Sequence, residues 1–381
     1  MRRQFSNAPH HQASSMARRS PVKRTSLLSP SCYWTLTFSK GLGSLVVEEL
    51  SEKGIRIASQ LIDDEEISFS GAQASGSKLV TIRTASALFR GIILPIDRPR
   101  GITSYEYRKA MGLLFEDVSR ITPLTTFKAM RLEGAGKETA TFKKLGAFFQ
   151  ELTSCPYRPD DPNADLVIRI RRPLREQGWE ILVRATPRPL ATRPWRESNF
   201  RGALAGPLAA AMVRLGRPHK RDLVLNLPCG SGTILGELLE MGHVGRLIGL
   251  DTSEYALAAA RANTTSCPPS RAVHLVRGDL CQLPFPDKLA SLVISDPPWG
   301  ESMGNRRDAK ILCAPMLREM DRVLTDNGRL VIISPHDEQL QRAAQPFFTL
   351  ERSLRVFQRG FHPYISVFRK KRPIIGGANA S

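Results

Sequence analysis

The sequence predicts an α/β protein whose C-terminal part is a doubly wound, mostly parallel sheet closed by an antiparallel hairpin, behind a smaller α+β region. Three segments predict this. Residues 223–227 form a short apolar run that breaks at Pro228-Cys229-Gly230-Ser231-Gly232-Thr233 and enters a helical pattern over 234–241. Residues 247–251 form a second apolar run, ending on the carboxylate of Asp251. Residues 292–295 form a third, ending in Asp296-Pro297-Pro298-Trp299-Gly300. Apolar strands alternating with helical patterns give parallel sheets with helices on both faces. Ligands bind such sheets at the carboxyl ends of the strands, and all three segments put their polar residues at that edge.

Taken in order, the chain opens on residues 1–30, with Arg2, Arg3, Arg18, Arg19, Lys23 and Arg24 and no acidic residue. Such a stretch cannot build a core and is expected to be disordered. An organelle transit peptide, a basic arm, and an overlong start with Met16 as the true initiator all have this composition. Residues 33–38 then alternate like a strand, and Gly41-Leu42-Gly43 leads into a helix over 44–50 with Leu45, Val46, Glu49 and Leu50 on one face. Residues 67–69 and 78–82 read as strands, 86–89 as a helical turn and 91–94 as a strand, which gives a first α+β unit over 31–120.

A strand over 126–131, a helix over 141–152 and strands over 166–170 and 179–183 make a second unit, 121–190. Lys128, Arg131, Lys143, Lys144, Arg169, Arg171, Arg193 and Arg196 crowd this region and its exit, an electrostatic footprint for phosphates. The whole chain of 381 residues carries a net charge of +19, which favours a polyanionic partner. Its six cysteines show no Cys-x-x-Cys pair, so no zinc site is expected and a reducing, cytoplasmic setting suits them. No run approaches the ~18 apolar residues that span a bilayer.

In the C-terminal region, Gly230 and Gly232 permit a tight turn and close approach of a ligand. Asp251 follows Gly232 by nineteen residues, the spacing of a ribose-binding carboxylate. A dinucleotide fingerprint needs a glycine where Leu235 stands, and no Gly-Lys-Ser/Thr phosphate loop occurs. A nucleoside ligand without a pyrophosphate fits better. Residues 274–279 continue the sheet and end on Asp279; a helix over 309–324, a strand over 329–334 and a hairpin, 354–358 with 364–368, complete it. The remaining residues after 371 read as a tail. His336 and His362 are isolated from any nucleophile, and Cys229 reads as a small packing residue of the loop.

Asp296-Pro297-Pro298-Trp299 resembles the [Asn/Asp/Ser]-Pro-Pro-aromatic motif of class I methyltransferases that act on exocyclic amines of nucleobases, and this resemblance implies S-adenosylmethionine as cofactor. An aromatic amine delocalises its lone pair into the ring. An acceptor at Asp296 and the Pro297 carbonyl, held by a fixed φ, would localise that pair, and Trp299 would stack the base at roughly 1–3 kcal/mol. Transfer then depends on alignment. The implied cofactor residues are Asn226, Pro228, Cys229, Gly230, Ser231, Gly232, Asp251, Asp279 (on the adenine amine) and Asp296.

The rest of the chain resembles the family in which such a domain, here 216–371, follows an N-terminal ferredoxin-like domain, a THUMP RNA-binding domain and a linker helix, here 191–215. Pro189-Leu190-Ala191-Thr192-Arg193-Pro194-Trp195-Arg196 resembles the exit from THUMP, and Gly360-Phe361-His362-Pro363 recurs in the family's final hairpin. The resemblance implies methylation of guanosine N2, in the acceptor stem of tRNA or in ribosomal RNA, with THUMP on the 3′ end of the tRNA. Two departures bear on this. Many relatives have Asp where Asn226 stands, and the tRNA group often has Leu-Pro-Phe-Gly where this chain has Asp-Pro-Pro-Trp-Gly, which is nearer the ribosomal-RNA pattern. A DNA amino-methyltransferase would share the turn but not THUMP; an RNA-binding protein without turnover is the remaining alternative.

Overall fold

The computed structural model describes residues 31–372 apart from 56, 58, 71–75, 199–201, 244, 268–272, 300–305 and 359. The extension expected at 1–30, nearly all of the expected tail, and Gly300 lie outside the described residues.

The N-terminal part runs β1 (Tyr33–Thr37), α1 (Gly43–Glu52), β2 (Ser59–Ile62), β3 (Glu66–Ser70), α2 (Gly76–Leu79), β4 (Ala87–Leu94), α3 (Tyr105–Ser119), β5 (Met130–Glu133), α4 (Ala140–Thr153), β6 (Leu166–Arg171) and β7 (Trp179–Arg184). Its strands form one seven-stranded sheet in the order β2-β3-β1-β4-β7-β6-β5. Strand alternation sends Trp34 and Leu36 of β1 into the apolar core while Tyr33, Thr35 and Thr37 share the other face. The units expected at 31–120 and 121–190 share this sheet, because β4 of the first pairs with β7 of the second from Phe89–Arg184 to Leu94–Trp179.

Three local expectations are corrected. Residues 78–82 hold the end of α2 and a turn, with Leu79 and Ile82 buried three residues apart, a helical spacing rather than an alternating one. Residues 87–89 belong to β4, not to a helical turn; this strand is central in its sheet and buried on both faces, so its apolar run carries no alternation. The strand expected over 126–131 starts only at Met130, after a 3₁₀ turn over Leu124–Thr126. The sequence reading passed over α3, although Met111, Leu114, Phe115 and Val118 form an i, i+3, i+4, i+7 stripe that is buried.

The C-terminal part runs α5 (Gly206–Gly216), β8 (Val224–Asn226), α6 (Thr233–Glu240), β9 (Leu247–Asp251), α7 (Glu254–Thr265), β10 (Val273–Arg277), β11 (Ala290–Ser295), α8 (Arg306–Val323), β12 (Leu324–Ser334), α9 (Asp337–Ala344), β13 (Phe348–Arg355) and β14 (Tyr364–Lys370). The order is β10-β9-β8-β11-β12-β14-β13. The first five strands are parallel, and β14 and β13 close the sheet antiparallel, as expected. The hairpin's first strand begins earlier than expected, at Phe348, and residues 356–358 belong to its turn. The chain leaves β8 toward β9 on one side and returns to β11 on the other, so the topological switch point lies between β8 and β11.

The two sheets share an apolar core: Trp34, Leu36, Leu45 and Val46 pack in one cluster with Leu208, Met212, Leu238 and Val356. A buried ionic junction joins them as well. Glu237 of α6 is 0% exposed; it accepts from Arg83 Nε (2.6 Å) and Nη2 (3.1 Å) and from Arg193 Nε (2.6 Å). Arg83 also reaches Glu240 at 2.8 Å, and Arg193 Nη2 donates to the Arg83 carbonyl at 2.6 Å. Among the described residues, no helix is long and apolar enough to cross a membrane.

Candidate active site

The cradle is built at the carboxyl ends of β8, β9 and β11. The Cys229 N–H donates to the Leu250 carbonyl (2.8 Å), which ties the loop after β8 to β9. Asp251 completes that tie, its Oδ2 accepting from the Gly230 N–H (2.9 Å) and its Oδ1 from the Ser253 N–H (2.9 Å) at the start of α7. Each carboxylate oxygen keeps lone-pair capacity for a further donor. Gly230 (φ 51°) and Gly232 (φ 75°) are both left-handed. Their surroundings differ. A Cβ on Gly230 would point into open space, whereas one on Gly232 would meet Ala260 of α7 at 3.1 Å. Gly230 faces the cradle; Gly232 lets two helices approach.

Asn226 sits at the end of β8 with 0% exposure. Its Nδ2 donates to the Ile294 carbonyl (3.0 Å) and the Pro228 carbonyl (3.2 Å), while its Oδ1 is buried with no partner among the described residues. Ser231 Oγ is likewise buried and unpartnered among them. Orphaned buried acceptors and donors cost free energy unless something fills them. Two such atoms beside an open Gly230 are what a polar cofactor tail needs.

Cys229 is buried, and its thiol is pushed up to about 12 by burial and by the Asp251 carboxylate, so it stays a thiol and is no nucleophile. Asp279 lies exposed beyond β10, its Oδ1 taken by the Cys281 N–H (2.8 Å) of its own turn.

Asp296 follows β11, the strand beside β8. Ser295 Oγ donates to the Leu227 carbonyl, and the Leu227 N–H donates to the Ile294 carbonyl (3.1 Å), locking the two strand ends together. Asp296 itself is half-buried and accepts no hydrogen bond among the described residues; burial pushes its carboxyl up to about 7. Pro297 is buried beside it. Trp299 is oriented by donating Nε1–H to the Ile333 carbonyl (2.6 Å) at the end of β12, with His336 edge-on at 6.5 Å.

Of the expected RNA-binding cations, Lys128, Lys143 and Lys144 stand exposed. Arg131 and Arg169 both pair with Glu133, at 2.8 and 3.3 Å, and Arg169 also lies over the Phe89 ring at 4.8 Å. The structure gives three more of them protein acceptors. Arg171 is held between Glu66 (2.6 Å) and Glu180 (2.5 Å). Arg193 is 5% exposed and committed to Glu237, and Arg196 donates to Thr233 Oγ1 (2.8 Å) at the start of α6 and to the Leu204 carbonyl (3.1 Å). These guanidiniums bind protein acceptors, and at Arg193 a phosphate would have to break a buried pair to reach the cation.

The sequence reading missed two site-supporting residues. Asn263 of α7 is buried; its Nδ2 donates to the Ser231 carbonyl (3.0 Å) and the Ser198 carbonyl (3.2 Å), and its Oδ1 accepts from the Ser198 N–H (2.8 Å). It clamps the glycine loop to the interdomain linker. Glu237 is the other. The available signal in both cases was a polar residue on the apolar stripe of its helix.

Comparison with known proteins places this geometry. Residues 193–360 match the family model described as UPF0020: RMKL-like, methyltransferase domain. The match runs from the linker to the final hairpin, and the fold of that part is the class I methyltransferase fold. The chain is 28% identical over 226 residues to the U6 snRNA (guanine-N(2))-methyltransferase THUMPD2 of Bos taurus, covering 58% of this chain and 43% of the relative. It is 29% identical over 206 residues to the tRNA (guanine(6)-N2)-methyltransferase of Thermus thermophilus, covering 53% of this chain and 60% of the relative. The chain thus aligns with roughly half the length of these curated relatives. The crystal structure of TrmN from Thermus thermophilus superposes with a TM-score of 0.71 at 24% identity, over 89% of this chain and 100% of that one, a likeness of fold. SMU.472 in complex with SAH shares the fold with a TM-score of 0.65 at 15% identity, over 91% of this chain and 100% of that one.

Proposed function

We propose that this protein transfers a methyl group from S-adenosylmethionine to the exocyclic N2 amine of a guanosine in RNA, tRNA first and ribosomal RNA second, in the cytoplasm. The observation that carries the reading is Asp296: a desolvated carboxylate, without a partner among the described residues, one strand from a glycine loop with unfilled polar atoms. Asn226 Oδ1 would accept from the ammonium of the cofactor, the open face of Gly230 would take its backbone, and Asp251 would take its ribose. Asp279 Oδ2 is the acceptor offered toward the adenine. Bound there, S-adenosylmethionine supplies an electrophilic methyl group. Asp296 and the Pro297 carbonyl accept the two N2–H groups and localise the nitrogen lone pair. Trp299 supplies the ring against which the base rests, and Asp296, titrating near neutrality, holds the amine proton as the N–C bond forms.

The N-terminal sheet, with its ferredoxin-like and THUMP readings, is proposed to present the RNA. Exposed Lys128, Lys143 and Lys144 and the net charge of +19 support this. Relatives named for tRNA and U6 snRNA guanine-N2 methylation support the substrate class. The ribosomal reading is kept because Asp-Pro-Pro-Trp is nearer that pattern.

The test is transfer of radiolabelled methyl from S-adenosylmethionine to separate tRNA, ribosomal RNA and DNA pools, with nucleoside analysis. N2-methylguanosine in tRNA is the expected result. Label confined to ribosomal RNA moves the substrate, N-methylated bases in DNA replace the class, and cofactor binding with no transfer leaves an RNA-binding protein without turnover.

A further inference from the structure

The turn joining β13 to β14 lies at the catalytic edge of the sheet, because Tyr364 at its far side pairs with Ser334, the last residue of β12. With neighbouring strands ~4.8 Å apart, the start of β14 at Tyr364 stands about 10 Å from the end of β11 that bears Asp296. Four observations distinguish the turn. Phe361 is 50% exposed, one of few large apolar side chains so placed among the described residues. His362, also exposed, lies against the Phe357 ring at 5.2 Å. The Arg355 guanidinium is exposed on the same edge and makes no ion pair among the described residues. Backbone bonds tie the described residues of the turn: Gln358 and Phe361 exchange two hydrogen bonds of 2.9 Å, and buried Val356 donates to the Pro363 carbonyl at 2.9 Å. It is braced on the N-terminal part, since the Phe357 N–H donates to the Lys40 carbonyl at 2.9 Å. An aromatic held open to solvent gains little for folding; with a cation on the strand that enters the same turn, it supplies the parts of a nucleotide site, a ring for the base and a charge for the phosphate.

We propose that Phe361 and His362 form a stacking platform for an unpaired nucleotide flanking the target guanosine, with Arg355 on its phosphate. This rests on the RNA-methylation reading and adds to it a requirement: the substrate must present a base free to stack beside the modified one. Because the platform is braced on the N-terminal part, it also joins the half that holds the RNA to the edge where chemistry occurs.

The experiment is steady-state methyl transfer to the RNA pool that the full-length protein labels, with Phe361→Ala, Phe361→Trp and Arg355→Gln, alongside S-adenosylmethionine affinity and thermal unfolding. Phe361→Ala is expected to raise KM for RNA by about fivefold to a hundredfold, the range of one lost base stack, with cofactor affinity and unfolding temperature unchanged. Phe361→Trp is expected to restore KM, and Arg355→Gln to lower the salt dependence of KM. An unchanged KM in Phe361→Ala, or a loss that Trp does not rescue, overturns the proposal. Absence of RNA methylation by the unaltered protein instead overturns the reading on which it rests, so the two failures are distinguishable.

Discussion

Asp296 is the residue whose environment differs most from that of an ordinary surface carboxylate. Burial places its titration near 7, so the ionised form, the one proposed to accept amine hydrogen bonds, accumulates as pH rises through that value. Methyl transfer is therefore expected to climb with pH through about 7 and level off above it. Asp296→Asn should give a flat profile at lower rate, and Asp296→Ala should abolish transfer while leaving cofactor affinity nearly intact. The same shift acts on stability with the opposite sense. The folded carboxyl binds its proton more tightly than the unfolded one, so its burial costs stability only as pH rises from the usual carboxylate range through about 7. Asn226 gives a second prediction at this scale. Its Nδ2 serves two carbonyls, and an Asp there would set an acceptor against acceptors at 3.0 and 3.2 Å. Asn226→Asp should cost about 1–3 kcal/mol in urea unfolding at neutral pH, less at low pH where the new carboxyl is protonated. Equal stability at both pH values would show that the site reorganises. The two residues were not equally legible. Asp296 was conspicuous from its prolines, but that the acceptor of Asn226 is left unfilled depends on where Ile294 and Pro228 lie.

Among the elements, the glycine loop sets an open glycine beside a packed one. Gly230 and Gly232 look alike in sequence and share a left-handed backbone, but only Gly232 abuts another helix. Gly230→Ala is expected to lower stability by about 1 kcal/mol, the left-handed cost, while abolishing S-adenosylmethionine binding, because its methyl enters the cradle. Gly232→Ala should lose both, since α7 must shift to clear the new methyl. Calorimetric titration with thermal unfolding of each variant checks this; equal effects of the two would mean that the loop binds as a unit. Parallel strands β8, β9 and β11 were readable as apolar runs because both their faces are buried. The misread stretch, 86–89, failed for that same reason: a central strand without alternation looks like anything apolar until its partners are known.

At the scale of the molecule, Glu237 decides how the two halves are joined. Removing it leaves the Arg83 and Arg193 guanidiniums facing each other in a buried site. Glu237→Ala should destabilise by about 3–5 kcal/mol, more than truncating exposed Glu338, whose pair with Arg342 is worth less than about 1 kcal/mol. Urea unfolding of the full chain measures both. A small loss for Glu237→Ala would mean that the apolar contacts shared by α1 and α5 hold the halves without it.

The sequence alone determined what local pattern and spacing encode: the doubly wound sheet, the glycine loop with Asp251 nineteen residues beyond it, and the Asp-Pro-Pro-Trp turn. These are short-range, since a strand, a turn and a helix follow one another within a few residues. Only the tertiary structure decided which cations are available and which are spent. Arg171, Arg193 and Arg196 read like Lys143 and Lys144 in a list of charges, yet the first three bind acceptors that include residues 37 to 110 positions away, and the lysines stand in solvent. Charge is written in the sequence, but whether it faces water or a buried partner depends on which distant residue the fold brings within 3 Å.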